Sequence, residues 1–415
     1  MKINRFNTTF LLLIAILFFA CNNTKEVKFA VTNNANIDIT DAQIVIPVSD
    51  ILELWETKKE NQTIALKNAQ GGWIPFQLDS LDENIKEIAF VLDLKANEKT
   101  QVSMTLVSND ELPEFQKYTN IRLGKDVDFD GSFENIKEEM RDTSHKPQAF
   151  PVLYQMEGVA WENDKVGFRS YWDSRNGKDI FGKLIETPVL DTVGLPGKKT
   201  YHELGDWGMD ILKVGNSLGS GAVALSVKDS LYRLGETKSA YFKQLTEGPI
   251  RAIFDLGYKG WMVNGKEYEL VERITLWKGK YFYSSKLFLT GELDSVELVT
   301  GITNLHTDTF YTSENNNYNI LYTHDLQSEN KDSLGMAVLV ENSSFKGHGI
   351  TANEGNGITN TYFTKMEVAG EPEYFFVAGW EKTNKDFSSK SGFEKYLDQV
   401  TKEISNPVSI KKVAN

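Results

Sequence analysis

The chain is short of cysteine, proline and histidine, and each shortage argues against a class of protein. A single cysteine among 415 residues rules out a fold held together by internal disulfide bonds. Ten prolines, with no repeating glycine period, exclude a collagen-like or proline-rich chain. The five histidines show neither a His-x-His nor a His-Glu-x-x-His spacing, so the sequence gives little support for a transition-metal site. The fold therefore has to rest on its hydrophobic core.

Positive charge is also in deficit. Lysine and arginine number 45 against 58 aspartates and glutamates, which leaves a formal net charge of −13. An acidic balance of this kind argues against a nucleic-acid partner. It also means that a local group of basic side chains would have to attract any anionic ligand. With 40% hydrophobic residues, the chain has the composition of an ordinary globular protein.

Long apolar runs are confined to the N-terminus. Phe10–Ala20 is apolar, follows the basic residues Lys2 and Arg5, and is too short to span a bilayer. Cys21 comes directly after it, which is the arrangement of bacterial lipoproteins, whose cysteine is acylated. We therefore expect residues 1–21 to be a lipoprotein signal and Cys21 to anchor the protein in the outer membrane, facing the periplasm. The alternative is a plain secretory signal followed by a chance cysteine.

Most of the remaining chain has the pattern of short β-strands separated by polar turns. We predict an all-β fold, with a small β-sandwich over residues 25–112 and a large antiparallel β-sandwich over residues 113–415. One long strand is expected from Val159 to Tyr171. Two helices are predicted, Ser49–Lys59 with Ser49 or Asp50 as its N-cap, and Gly392–Ser405 with apolar residues at helical spacing.

Two stretches, Tyr154–Asp179 and Tyr201–Gly221, combine tryptophan, tyrosine, glycine and charged residues in a way that core strands do not require. Residues 165–183 hold five basic side chains against two acidic ones, in a chain that is acidic as a whole. Aromatic rings stack on sugar rings, and charged side chains bind hydroxyl and carboxylate groups. This composition predicts a site for an acidic carbohydrate. A solvated strand face is the alternative.

Three further features are candidates for chemistry. His202 lies beside Tyr201 in a loop-like stretch, which favours a role as an acid or base near neutral pH. His306 follows a predicted strand and is the second candidate. Asp126–Gly131 resembles a calcium-binding loop, but Lys137 stands at the twelfth position, where a glutamate is needed. An acidic turn is therefore the alternative to calcium there.

The two aromatic and charged stretches resemble a bacterial family catalogued as domain of unknown function 4861. Its members are lipoproteins and secreted proteins encoded among polysaccharide-degrading enzymes. The resemblance extends over roughly residues 28–400. The motifs that carry it are Ala160–Asp164, Phe168–Arg169 with Tyr171, Tyr201–His202, Gly208–Asp210, Lys213–Gly219 and Gly248–Arg251.

The resemblance implies a sandwich like that of galactose mutarotase, and an activity that removes water from the non-reducing-end uronic acid of ulvan oligosaccharides. The product would be a 4,5-unsaturated uronate, and no redox cofactor or metal would be needed. Such an elimination requires a base at C5, an acid for the 4-hydroxyl and a cation for the carboxylate. For these roles we expect His202 and Tyr171, with Tyr201 as a substitute, and Arg169 as the cation.

The remaining predicted site residues would bind the oligosaccharide. Two would stack on sugar rings, one would assist Arg169, and the others would bind hydroxyl or sulfate groups. They are Trp161 and Trp207, then Lys213, then Glu162, Asp173, Arg175, Asp210 and His306.

Three other functions stay open at this point. A polysaccharide lyase would use the same elimination but expel a sugar instead of water. A glycosidase would need a pair of carboxyl groups, for which Glu157 and Glu162 are available. A lipid-anchored glycan-binding protein would use the same aromatic and basic residues without turnover.

Overall fold

The structure, a computed structural model, describes residues 25–82, 86–142, 152–235, 237–315 and 317–414. Cys21, the rest of the predicted signal and His145 lie outside the described residues. The fold is all-β, with antiparallel sheets and one longer helix near the C-terminus, so the predicted fold class is confirmed. In the ranges given above, no helix combines the length and the apolar character needed to cross a membrane.

A small β-sandwich is built mainly from the N-terminal part of the chain. In its first strand Val27, Phe29 and Val31 are buried and alternate with less buried residues, so one face of the strand packs inward. The two sheets enclose a hydrophobic core of their own. The four-stranded sheet has the order Ser409–Lys412, Glu26–Thr32, Lys99–Ser108, Gln62–Asn68, and the three-stranded sheet has the order Ile39–Pro47, Lys86–Leu94, Phe76–Ser80.

The first strand of this sandwich has a neighbour from the far end of the chain. Ser409–Lys412 pairs with it antiparallel, so that Thr32 lies opposite Ser409 and Phe29 opposite Lys412. The two ends of the described chain therefore meet in one sheet. The division of the chain into domains at residue 112 stays a prediction.

A large sandwich forms from a nine-stranded sheet and two five-stranded sheets that share one hydrophobic core. The nine-stranded sheet has the order Glu138–Asp142, Ser239–Thr246, Arg251–Val263, Lys266–Trp277, Phe282–Thr290, Glu373–Trp380, Leu334–Glu341, Tyr318–Asp325, Tyr311–Glu314. One five-stranded sheet has the order Ser230–Arg233, Ala224–Val227, Val296–Thr303, Thr361–Glu367, Phe345–Ile350.

The other five-stranded sheet, called the site sheet below, positions the candidate functional residues. Its strands have the order Gly208–Asp210, Lys178–Lys183, Val166–Tyr171, Gly158–Glu162, Asn120–Arg122. Because side chains alternate along a strand, one face of this sheet turns Trp161, Phe168 and Ile180 into the large core. The opposite face is left for polar side chains.

The remaining elements are short, and two of them correct the predictions. The predicted long strand is a hairpin of Gly158–Glu162 and Val166–Tyr171, since Asn163 binds the backbone N–H groups of the turn. The predicted helix over residues 49–59 is wrong in its bounds and its cap. It consists of a 3₁₀ turn, Val48–Ile51, and one helical turn, Leu52–Trp55, without a side-chain cap.

The C-terminal helix is confirmed. It spans Lys390–Ser405, and Ser389 caps it by accepting a hydrogen bond from the N–H of Gly392 at 3.2 Å. Phe393, Leu397 and Val400 are buried against the nine-stranded sheet. The other elements are the 3₁₀ turns Gln155–Glu157 and Lys385–Ser388 and the strand pair Gly124–Lys125 with Glu134–Asn135.

The small and large sandwiches meet at Arg251, the last residue of the Gly248–Arg251 motif. Its guanidinium donates to Asp79 and Glu87, each at 2.6 Å, and both acceptors belong to the small sandwich. The Oε1 atom of Gln77 accepts hydrogen bonds from the N–H groups of Ile250 and Arg251 at 2.9 and 3.0 Å. This motif is therefore an internal joint.

Candidate functional site

The polar face of the site sheet carries a cluster centred on Arg169. Arg169 and Tyr171 lie two residues apart on one strand and therefore share this face. Strand register places Asp179 directly opposite Arg169. The edge strand adds Asp210, and the segment of residues 184–207 returns over the same face.

Arg169 is buried, and both of its terminal nitrogens are bound by protein groups. Its Nη2 atom donates to Asp179 and also to Tyr171 Oη at 2.9 Å, and its Nη1 atom donates to the carbonyl oxygen of Met156 at 3.0 Å. Only about 1% of its side chain is exposed. A substrate carboxylate cannot reach a guanidinium in this position. The predicted role of Arg169 as the carboxylate-binding cation is therefore wrong, and the residue organises the floor of the site.

His202 stands over this floor and is accessible. About 63% of its side chain is exposed, and its Nδ1 atom lies 3.5 Å from Asp210 Oδ2. Partial burial and the nearby Arg169 charge lower the pKa of His202, which keeps the imidazole neutral near neutral pH. Asp210 itself is buried, and burial together with the neighbouring Asp179 raises its pKa well above the usual range.

The two tyrosines of the site differ in how their hydroxyl groups are used. Tyr171 Oη accepts from Arg169 and donates to Asp179 at 3.3 Å, so it is engaged on both sides. Tyr201 Oη accepts from Arg169 Nη1 at 3.3 Å, and its ring lies 4.3 Å from that of His202. Burial raises the pKa of both phenols, so both stay protonated. Tyr201 is thus the better placed acid beside His202.

Arg175 is the accessible cation of the cluster. Its guanidinium lies 3.8 Å from the centre of the Tyr171 ring, and about a third of its side chain is exposed. Its Nε atom donates to both carboxylate oxygens of Asp173, at 2.9 and 3.0 Å, and its Nη2 atom donates to Glu157 at 2.7 Å. Asp173 is buried, so its predicted role in binding hydroxyl groups is wrong. Its function is to fix Arg175.

The segment of residues 184–207 is fixed at its base by a buried ion pair. Glu162 accepts hydrogen bonds from the N–H groups of Val189 and Leu190 at 2.7 and 2.8 Å, and it also binds Lys183. Glu162 is fully buried, so its predicted role in binding substrate is wrong. The segment ends at Gly208, whose φ is +130° and whose added Cβ would lie 1.8 Å from a backbone oxygen.

Two of the predicted sugar-binding aromatic residues have different positions. Trp161 is completely buried, with its ring 5.2 Å from Phe254 and 5.5 Å from Tyr283. The prediction that Trp161 stacks on a sugar is therefore wrong. Trp207 is half-buried and packs edge-on against Phe181, beside a cavity of about 290 Å³ lined by the 192–207 segment. It keeps an exposed surface near Tyr201.

The remaining predicted residues lie at the rim. Lys213 is exposed, three residues beyond Asp210. His306 binds Glu329 at 2.7 Å, and the N–H of Glu329 donates to the carbonyl oxygen of Ile211, the residue after Asp210, at 2.9 Å, so His306 belongs to the surroundings of the site. In the predicted calcium-binding loop, Asp126 is buried in a turn. There it accepts hydrogen bonds from the N–H groups of Asp130 and Gly131. Within the described ranges, no group of three metal-ligating side chains forms at this or any other place.

Three residues of the site were not among the predicted ones, namely Asp179, Glu157 and Glu329. Asp179 ends the stretch Tyr154–Asp179, but its pairing with Arg169 depends on strand register, which the sequence does not state. The sequence offers Glu157 only as half of a carboxyl pair, and burial of Glu162 removes that pair. Glu329 is more than a hundred residues from His202 in the sequence, and no local pattern marks it.

Comparison with known families gives a match over most of the chain. A family model described as Domain of unknown function (DUF4861) matches residues 31–410. A curated relative, "Uncharacterized protein P7" of Formosa agariphila, is 27% identical over 278 residues, which cover 62% of this chain and 68% of the relative.

Comparison with solved structures gives distant matches. An alpha-mannosidase from Enterococcus faecalis V583 matches with a TM-score of 0.47 and 9% identity, over 94% of this chain and 46% of that one. A Glycosyl Hydrolase Family 38 protein from Enterococcus faecalis matches with a TM-score of 0.44 and 9% identity, over 94% of this chain and 47% of that one. The chain thus spans about half the length of both.

Proposed function

The chain belongs to the DUF4861 family, and we propose that it is a lyase that removes water from the non-reducing-end uronic acid of ulvan oligosaccharides. The observation that carries the proposal is the pairing of an accessible, neutral imidazole with a protonated phenol. His202 and Tyr201 have this relation, side by side above a buried arginine and two carboxyl groups. An elimination needs a base and an acid that act on the same substrate molecule.

In this mechanism His202 is the base. Nδ1 of the imidazole faces Asp210, which leaves Nε2 to take the proton from C5 of the uronic acid. Tyr201 is the acid. Its oxygen already accepts a hydrogen bond from Arg169, so its own proton is free for the departing 4-hydroxyl group. The C5–H and C4–O bonds break, the C4=C5 double bond forms, and one water molecule leaves.

Arg175 is the group that neutralises the substrate carboxylate in this proposal. Removal of the C5 proton leaves an electron pair that is delocalised from C5 onto the carboxylate oxygens, so a fixed cation beside them lowers the barrier. Arg175 combines a planar fork, partial exposure and a position fixed by Asp173 and the Tyr171 ring. Trp207 and Lys213, both accessible at the rim, would contact the neighbouring sugar.

The test is incubation of the purified protein with ulvan oligosaccharides that end in a saturated uronic acid, followed by mass spectrometry. We expect loss of one water per chain at unchanged chain length. His202→Ala should lower turnover about 10²–10⁴-fold. Tyr201→Phe should lower turnover by a similar factor, because it removes the proton donor while keeping the aromatic ring.

A control variant shows whether the loss of turnover is specific to the site. His348→Asn changes a histidine of another sheet, which binds Thr364, and should leave turnover unchanged. Shortened chains without added water would mean a polysaccharide lyase, and shortened chains with added water would mean a hydrolase. Binding without any mass change, unaffected by His202→Ala, would mean a glycan-binding protein. Each of these results contradicts the proposed activity.

We also propose that Cys21 carries a lipid that anchors the protein in the outer membrane, facing the periplasm. The proposal rests on the cysteine that directly follows the apolar run Phe10–Ala20. The test is labelling of expressing cells with a tagged fatty acid. Wild-type protein should be labelled and should partition with membranes, whereas Cys21→Ser should be unlabelled. A label that survives Cys21→Ser would contradict the anchor.

A further inference from the structure

We propose that Glu157 occupies the place of the substrate carboxylate on Arg175, and that substrate binding exchanges one carboxylate for the other. The inference rests on the proposed function and adds a residue that determines its specificity. Glu157 would thus act as an internal competitor, released when an acidic sugar enters. Four observations support it.

The first observation is that the protein holds Arg175 more firmly than Glu157. Arg175 is bound by the buried Asp173 through three contacts and stacks on Tyr171, so its guanidinium cannot leave. Glu157 holds the exposed side of that guanidinium at 2.7 Å, and about a third of its own side chain is exposed. Exposed ion pairs of this kind are weak and exchange readily. A carboxylate from solution meets Arg175 where Glu157 now lies.

The second observation is the position of the Glu157 charge. Arg169 Nη1 donates both to the carbonyl oxygen of Met156, the residue before Glu157, at 3.0 Å and to Tyr201 Oη at 3.3 Å, so Glu157 follows a residue that shares this nitrogen with Tyr201. In a uronic acid the carboxylate is attached to C5, the atom that loses its proton. A carboxylate bound in place of Glu157 would therefore bring C5 close to His202.

The third observation is the charge balance around Arg175. Arg233 lies next to it and donates to the carbonyl oxygens of Arg175 and Ser217, both at 2.9 Å. Among the described residues Arg233 forms no ion pair with a carboxylate. Arg141, which donates to the carbonyl oxygen of Asp173 at 3.3 Å, likewise forms no ion pair among the described residues. Without the Glu157 contact, these arginines therefore outnumber the carboxylate of Asp173, which favours an acidic sugar over a neutral one.

The fourth observation is the backbone that presents Glu157. Met156 and Glu157 have φ values of 54° and 61°, a left-handed conformation that residues other than glycine rarely adopt. Gln155 fixes this turn by donating to the carbonyl oxygens of Leu190 and Val193 at 3.1 and 2.6 Å. The fold thus maintains an unusual local conformation that directs Glu157 to Arg175.

The test measures binding separately from turnover. In a His202→Ala background, calorimetry compares an ulvan oligosaccharide that ends in a saturated uronic acid with the same oligosaccharide after reduction of that carboxyl group. We expect Glu157→Gln to bind the acidic sugar about tenfold more tightly, because the competing charge is gone. Affinity for the reduced sugar should not change. Arg175→Gln should lose at least tenfold for the acidic sugar only.

A matched control removes the same charge elsewhere. Glu203→Gln changes an exposed glutamate of the 184–207 segment, 3.8 Å from Lys199, and should leave both affinities unchanged. Weaker binding of both sugars by Glu157→Gln would mean that Glu157 contacts the sugar itself, and would overturn the inference. If Glu157→Gln binds the acidic sugar no more tightly than the parent, the exchange is likewise refuted. Failure of the proposed function has a different signature, since the wild-type protein would then release no water from the acidic sugar, whatever the affinities of these variants.

Discussion

Two buried carboxyl groups share one guanidinium at the floor of the site. Asp179 accepts hydrogen bonds from Arg169, from Tyr171 and from the N–H of Ile180, whereas Asp210 Oδ2 lies 3.4 Å from the same arginine. One arginine balances one carboxylate, so the second carboxyl group favours its protonated form. Burial and Asp179 accordingly raise the pKa of Asp210, despite the opposing charge of Arg169.

This arrangement predicts that substitutions of the two aspartates affect the free energy of unfolding differently. Because its folded-state pKa is raised, the stability contribution of Asp210 is full below its unfolded pKa and is lost as pH rises through the folded one. Asp210→Asn should therefore not lower the free energy of unfolding at neutral pH. Asp179→Asn should lower it by about 1–2 kcal/mol, because Asp210 then ionises and replaces the lost partner.

The double variant is the decisive member of this set. Without either carboxylate Arg169 is a buried charge with no partner, which costs about 3–5 kcal/mol. The double variant should therefore be less stable than the sum of the single effects, as measured by denaturant unfolding. Purely additive effects would contradict a shared proton. The stability of Asp179→Asn should also fall on acidification, because Asp210 must then stay ionised.

At the scale of elements, the 184–207 segment depends on one ion pair. Lys183 donates to Glu162, to the carbonyl oxygen of Asn163 at 2.6 Å and to that of Thr187 at 3.0 Å. Glu162 in turn accepts the N–H groups at the start of the segment. Both side chains are buried, so removing one leaves the other as an uncompensated charge.

Lys183→Met should therefore lower the free energy of unfolding by about 3–5 kcal/mol and expose the segment to proteases. Since the segment carries Tyr201 and His202, turnover should fall with it. Denaturant unfolding and limited proteolysis measure the two effects. Glu186→Gln, which removes a largely exposed glutamate of the same segment, should change stability by less than about 1 kcal/mol. Equal effects of the two variants would argue against the buried pair as the anchor.

Strand identity could be predicted from the sequence, but strand partners could not. The alternation of Val27, Phe29 and Val31 marks one buried face without any knowledge of the fold. The same rule put Arg169 and Tyr171 on one face. Burial of Arg169 depends on Asp179 across the strand and on the segment above it, and neither is visible in local spacing. A basic residue in an aromatic-rich stretch has the same sequence pattern whether it binds a ligand or is buried beneath the site.

Tryptophan gave the clearest error of this kind. Trp161 and Trp207 both lie among charged residues in sequence, yet one is completely buried and the other half-buried at the site. Alternation along Gly158–Glu162 decides the difference, because Trp161 shares its face with Val159, which faces the large core. The sequence could identify the strand, but the inward face of a sheet covered on both sides carries no polar signal.

At the scale of the whole molecule, the small sandwich and the large one are connected by buried charges. Arg251 extends from the nine-stranded sheet to Asp79 and Glu87, and Lys280 donates to the carbonyl oxygen of Thr40 in the small sandwich at 2.9 Å. These contacts were not predictable, because each joins residues more than a hundred positions apart. These contacts fix the position of the small sandwich relative to the large one in the folded state.

The pairing of Glu26–Thr32 with Ser409–Lys412 has a consequence for biosynthesis. A ribosome adds roughly 5–20 residues per second, so on the order of tens of seconds separate the synthesis of the two strands. Until the later one emerges, one side of the earlier strand offers free N–H and C=O groups to any other extended chain. The nascent protein therefore carries an open strand edge that can pair with other chains until Ser409–Lys412 has been made.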